Sequence, residues 1–179
     1  MEVLTHLRLM AGYNLRMNRQ VYSGAATLPE EQLSKPMGAY FGSVLGTLNH
    51  LMVGDLLWLH RFRRHSETYR SLQALEELPQ PTALDNVIYD RFGALGAARA
   101  LVDETLLTWV SDELQADDLT RNLSYHNAKG EAATQDFGEL VCHMFNHQTH
   151  HRGQVSTLLC QLGVDIGATD FIVDIPRAR

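Results

Sequence analysis

Apolar residues recur at spacings of three and four along four long stretches of the chain, and the breaks between them are rich in Pro, Gly or polar residues. In the first stretch, about Val3 to Ser23, Leu4, Leu7, Met10, Tyr13, Asn14 and Met17 share one face. The second runs from about Phe41 to His65, with Ser43 near its start. Arg61, Arg63 and Arg64 load its last turns, the end of a helix dipole that favours cations. The third, about Leu84 to Ser111, carries Val87, Ile88, Phe92, Leu95, Leu101, Val102, Leu106 and Trp109. The fourth runs from about Thr134 to Leu162 and stops at Gly163, a residue suited to the left-handed conformation that closes helices.

Four helices of about 20 to 29 residues, joined by connections long enough to cross over, predict an all-α fold. The expected architecture is a four-helix bundle with crossover connections, forming a single domain over residues 1–179. Pro29 and Pro36 bracket a loop with a short turn from Pro29 to Leu33, and Pro79 and Pro81 interrupt the chain before the third stretch. From Leu119 to Thr134 the pattern changes. Leu123, Tyr125 and Asn127-Ala128-Lys129-Gly130 predict a short β-hairpin before the last helix. The tail from Asp165 to Arg179 contains the apolar run Phe171-Ile172-Val173, which is expected to pack on the bundle.

Composition narrows the function classes. With 45% hydrophobic and 20% charged residues, the chain has the balance of a soluble globular domain. A formal net charge of -6 argues against a nucleic-acid partner, which needs a basic face, and the arginines at 61, 63 and 64 read as the polar end of a helix. No apolar run reaches 18 residues, so no membrane span is expected. The early Glu2 and the lack of an apolar stretch with a cleavage site do not suit a signal peptide, which makes the cytoplasm the expected compartment. Cys142 and Cys160 fall in one predicted helix, roughly 27 Å apart along its axis, too far for a disulfide.

The candidate chemistry lies in the histidines. Four of the nine, His143, His147, His150 and His151, fall within nine residues. With His147 at zero on a helical wheel, His151 falls at about +40°, beside Leu140, Leu158, Met144 and Val155. His143 and His150 fall at the edge of that stripe, at about -40° and -60°, and both cysteines on its far side. Two imidazoles four residues apart on a helix can converge on one ion. Buried beside leucines, they could instead be neutral core residues with hydrogen-bond partners. A third ligand would come from a facing helix, where His50 is flanked on its wheel by Gly46, Thr47 and Gly54. Those small residues leave space for an ion or substrate, or else mark close helix packing. His6, His60, His65 and His126 read as non-ligands, the middle two as surface residues. Trp58 and Tyr13 suit either a pocket wall or core filling.

The stretch from Leu140 to Val155, with Asn146-His147-Gln148-Thr149-His150-His151-Arg152-Gly153-Gln154 at its centre, resembles the signature of the DinB/YfiT-like family. The likeness extends to Thr47-Leu48-Asn49-His50 and Asp55-Leu56-Leu57-Trp58, and to Gly163 followed by Asp170-Phe171. It implies a four-helix bundle, usually a homodimer, holding a divalent metal ion (zinc, nickel or iron) on His50, His147 and His151. The superfamily includes metal-dependent enzymes that use a low-molecular-weight thiol, such as mycothiol-dependent maleylpyruvate isomerase and bacillithiol transferases. The expected function is therefore a metal-dependent enzyme of S-transferase or isomerase type acting on a small-molecule substrate. The alternatives are a metal-dependent hydrolase and a non-catalytic, stress-associated metal-binding protein. Around the triad, Gln154 is placed to hydrogen-bond behind a ligand, Asn49 and Asn146 to fix neighbouring segments or bond in the core, and Arg152 to pair with an acid away from the metal face. Asp55 lies about 140° from His50 and is not expected to be a ligand.

Overall fold

The computed structural model describes residues 2–127 and 129–177. Met1, Ala128 of the predicted turn, and Ala178 and Arg179 of the tail lie outside the described residues. The described residues form five α-helices: α1 (Val3–Ala25), α2 (Glu30–Ser34), α3 (Val44–Phe62), α4 (Phe92–Thr108) and α5 (Phe137–Gln161). The four long ones form the bundle. Helices α1 and α3 each pack against both α4 and α5, so they stand at opposite corners. The connections from α1 to α3 and from α4 to α5 therefore cross the bundle diagonally, as the loop lengths predict. The second diagonal carries an antiparallel hairpin, β1 (Asn122–His126) and β2 (Ala132–Asp136), with Leu123 opposite Gln135 and Tyr125 opposite Ala133. Among the described residues no helix is long and apolar enough to cross a membrane.

Local chemistry sets the helix ends. The Ser43 hydroxyl accepts from the Gly46 amide and starts α3. The Asp136 carboxylate accepts from the Glu139 amide and starts α5 three residues after the expected Thr134, whose backbone belongs to β2. Gly163 closes α5 with φ +82, and the Val164 amide returns to the Leu159 carbonyl.

The largest departure from expectation is the third helix, which begins at Phe92 rather than Leu84. Residues 84–90 run as an irregular strap whose bonds come from elsewhere. The Asn49 side chain donates to the Tyr89 carbonyl and accepts from the Tyr89 amide, both at 2.9 Å. Leu84 and Val87, which fit the apolar period, remain 49% and 62% exposed, so no core contact recruits them into a helix. The Phe92 amide is capped by Glu30 from α2, a long-range partner that local pattern cannot reveal.

The aromatic end of the core brings Phe62 to 5.6 Å from Trp109 and 5.2 Å from Phe137. His65 stacks on Phe137 at 3.8 Å, and His60 is half-buried with an unpartnered ring nitrogen, so neither is the surface residue expected. The tail does pack, though differently from expectation. Phe171 turns inward against Tyr13, whereas Ile172 and Val173 are exposed. The grip is mainly polar: Arg16 pairs with Asp174 at 2.6 Å, and Gln20 donates to the Ile166 carbonyl at 2.9 Å.

Mid-bundle, a layer of buried polar groups replaces leucines. Arg99 bonds Asp55 at 2.6 Å and lies 2.9 Å from Asp103, which also accepts from Asn18 at 2.8 Å. Arg152 donates to Asn14, to Asn18 at 3.3 Å and to Gln148 at 3.1 Å. Its partners are amide oxygens, which corrects the expected pairing with an acid. Asp55 bonds Arg99 through one carboxylate oxygen and lies outside the histidine group. Removing one member of such a layer leaves buried charge uncompensated, so Arg99→Ala should cost about 3–5 kcal/mol of stability in urea unfolding. A loss below about 1 kcal/mol would refute the view that the layer is one charge-balanced unit.

Candidate metal centre

His50 from the second turn of α3 and His147 and His151 from successive turns of α5 meet at one point, their ligand atoms all within 4.8 Å of one another. The His50 Nε2 atom lies 3.1 Å from His151 Nε2 and 3.0 Å from His147 Nε2. Partners behind the rings decide which nitrogens face inward. His50 Nδ1 lies 2.9 Å from the Leu84 carbonyl, and His151 Nδ1 lies 2.8 Å from Gln154 Oε1. Both partners accept, so both Nδ1 atoms carry the proton and both Nε2 atoms present a lone pair. Those two lone pairs confront each other, and only His147 can donate across the group.

Nor can extra protons settle the conflict near neutral pH. Burial and the neighbouring imidazoles push His147 down to about 3. Burial also lowers His50, against the opposing bond to Leu84, and lowers His151, against its bond to Gln154. One divalent cation would satisfy all three. Around a tetrahedral zinc, for example, ligand nitrogens stand about 3.3 Å apart, close to the observed separations.

The surroundings are built for this convergence. A Cβ at Gly54 would sit 2.6 Å from His147 Cε1, so this glycine makes room for the His147 ring. A Cβ at Gly46 would meet the Phe41 carbonyl, which lets the turn before α3 fold back. Phe41 then stacks on His50 at 3.7 Å and meets His151 edge-on at 5.4 Å, closing one side. Asn49 and His50, adjacent in sequence, hold the 84–90 strap at its two ends. The role expected for Asn49 is thus observed, whereas Asn146 is exposed. His143 and His150 are exposed and stand outside the group, as helix phase predicts, and so do Cys142 and Cys160, both free thiols.

On the other side a cavity of about 370 Å³ opens on His50 and His147. Its walls include Leu57, Trp58, Arg61, Leu84, Tyr125 and His143. Trp58 is thus a pocket wall, while Tyr13 is buried and borders a separate cavity against α5. Sequence reasoning missed Arg61, Tyr125 and Phe41. Arg61 was detectable, because eleven residues from His50 is about three turns and returns to within about 20° of the same face. Phe41 comes from a turn, with no period to follow, and Tyr125 shares a face of β1 with Leu123, whose alternation does not say what that face covers. The wheel for α5 also needs correction. Its buried side includes Gln148, Arg152, Val155 and Leu159 and centres near +90°, placing the histidines at its border. Counting only apolar residues hid that centre, because two of its members are polar.

The lowered His147 sets a pH dependence for the metal-free protein. In the unfolded chain this imidazole protonates as pH falls through about 6.5, while in the folded state it stays neutral down to about 3. Stability is therefore full above pH 6.5 and declines below it, by about 2 kcal/mol at pH 5 from this group alone. Urea unfolding across pH 4 to 8 measures the slope, and His147→Gln should flatten it.

Comparison with known proteins places these features. The family model of the DinB family matches residues 1–177, from α1 through the tail. Protein DinB of Bacillus subtilis (strain 168) is 26% identical over 162 residues, which covers 89% of this chain and 87% of that protein. No solved structure matches the chain. Matched over nearly its whole length, the chain belongs to the DinB family.

Proposed function

We infer that His50, His147 and His151 hold one divalent metal ion, and that the protein is a metal-dependent enzyme transferring or rearranging groups with a low-molecular-weight thiol. The observation that carries the metal is the convergence of Nε2 lone pairs at about 3 Å with both Nδ1 protons engaged behind them. Three protein nitrogens leave a coordination position open, the arrangement of a reactive site rather than a closed structural one. A divalent ion held by these three residues would supply Lewis acidity, which lowers the pKa of a thiol placed beside it. The thiol comes from the superfamily enzymes that the sequence resembles.

The chain's own residues support a bound substrate. Trp58 and Tyr125 form an apolar wall beside the triad, 5.4 Å apart and edge to face. Phe41 stacks on His50 from the opposite side. The hydrolase alternative needs a carboxylate base near the ion, and none lines this cavity. Asp136 and Glu139 line a neighbouring cavity that shares Trp58 and Tyr125 with this one. A non-catalytic protein would be expected to fill the open side with side chains, and it stays open.

Metal analysis of the purified protein should return one ion per chain, and His147→Ala or His151→Ala should lose it. Full retention by both variants would sink the triad. Gly54→Ala should keep its helix, since Ala is favoured over Gly by up to about 1 kcal/mol, yet weaken metal binding at least about tenfold by displacing the His147 ring. Turnover assays with low-molecular-weight thiols and electrophiles test the reaction, and no thiol-dependent turnover by the loaded protein would count against it.

A further inference from the structure

The cavity beside the triad carries an unused positive charge. Arg61 is half-buried, and its guanidinium lies 4.8 Å from the Trp58 ring and 4.9 Å from the Tyr125 ring. Among the described residues its one hydrogen bond goes to the His126 carbonyl and engages one of its five N–H donors. It forms no ion pair among the described residues, unlike Arg63 two positions on, which pairs with Glu76. A second cation, Lys129, lines the same cavity, and no Asp or Glu does. In a chain with 21 acidic and 15 basic side chains, two cations without an acid in one cavity are not the average surface.

Position adds to charge. Arg61 stands three turns beyond His50 on α3, about 16 Å along the axis. Its stacking on Trp58, one turn nearer the histidines, shows the side chain leaning back toward them, as helical side chains do. The cavity is thus lined by His50 and His147, by Trp58, Tyr125, Leu57 and Leu84, and by the cations Arg61 and Lys129, with Arg61 three turns along α3 from His50.

We propose, building on the metal-enzyme reading above, that this pocket selects a small substrate with a flat apolar body and a terminal carboxylate, the carboxylate seated on Arg61 and Lys129 and the reactive end at the triad. The planar guanidinium fork matches a carboxylate in two-point contact, and partial burial strengthens that contact. The aromatic wall assigns the carboxylate to the substrate rather than to the thiol, because stacking on Trp58 and Tyr125 rewards a flat apolar body.

The test uses full-length protein loaded with zinc and two matched probes, 3-phenylpropionate and its neutral amide 3-phenylpropanamide, with binding followed by calorimetry. The carboxylate should bind about tenfold more tightly than the amide. Arg61→Gln should erase that preference, Lys129→Gln should reduce it, and Arg61→Lys should restore part of it, all with one zinc retained per chain. Equal binding of the two probes by zinc-loaded protein would overturn the proposal and leave the triad standing. So would a carboxylate preference that survives Arg61→Gln, since the carboxylate would then sit on the metal itself. Binding of 3-mercaptopropionate that depends on Arg61 more strongly than that of 3-phenylpropionate would overturn it by assigning the anion to the thiol. Failure to take up zinc, with the carboxylate preference intact in the metal-free protein, would instead overturn the triad.

Discussion

Two neutral imidazoles do not approach a third at about 3 Å without being held there. The convergence of His50, His147 and His151 is the constraint on which the rest of the structure depends, and each ring is held from behind by a different device. A backbone carbonyl fixes His50, a side-chain amide fixes His151, and the missing side chain of Gly54 receives His147. These supports come from a crossover strap, from the next turn of α5 and from the facing helix. The site is therefore a property of the α3–α5 contact and its immediate dressing, and the bundle serves mainly to set the distance and phase of those two helices.

Behind that contact the bundle spends its central positions on charge and amide groups. Arg99, Asp55 and Asp103 balance most of their charge internally, and Arg152 is held by three amide oxygens. Such layers add little net stability compared with well-packed leucines. What they do impose is direction. A helix carrying Arg152 and Gln148 cannot rotate on its axis without stranding buried donors, so the neighbouring His147 and His151 keep their heading.

Much of this was legible in the sequence, for definite reasons. Period alone located four helices, and helix phase separated His147 and His151 from His143, His150 and both cysteines. Cap chemistry at Ser43 and Gly163 could be read one residue at a time. What escaped was whatever depends on partners distant in sequence. The start of α4 is decided by Glu30 and by Asn49, and the apolar pattern from Leu84 to Ile88 continued a period that nothing in the core rewards. The true buried face of α5 was hidden by its own polar members. Arg61 looked like an ordinary cation at a helix end because its use lies in the hairpin that arrives opposite it.

The strap from Leu84 to Asp90 has a consequence beyond its shape. Because the carbonyl of Leu84 orients His50, a stretch without helix or strand is wired to the site it passes over. Reciprocity then applies: anything that frees this stretch removes the partner that keeps the His50 lone pair aimed inward, and anything that draws on that lone pair tightens the stretch in return. Substitutions there would be felt at the histidines without touching them. The exposed side chains at Leu84 and Val87 thus occupy a connector that behaves, thermodynamically, as an extension of the histidine cluster.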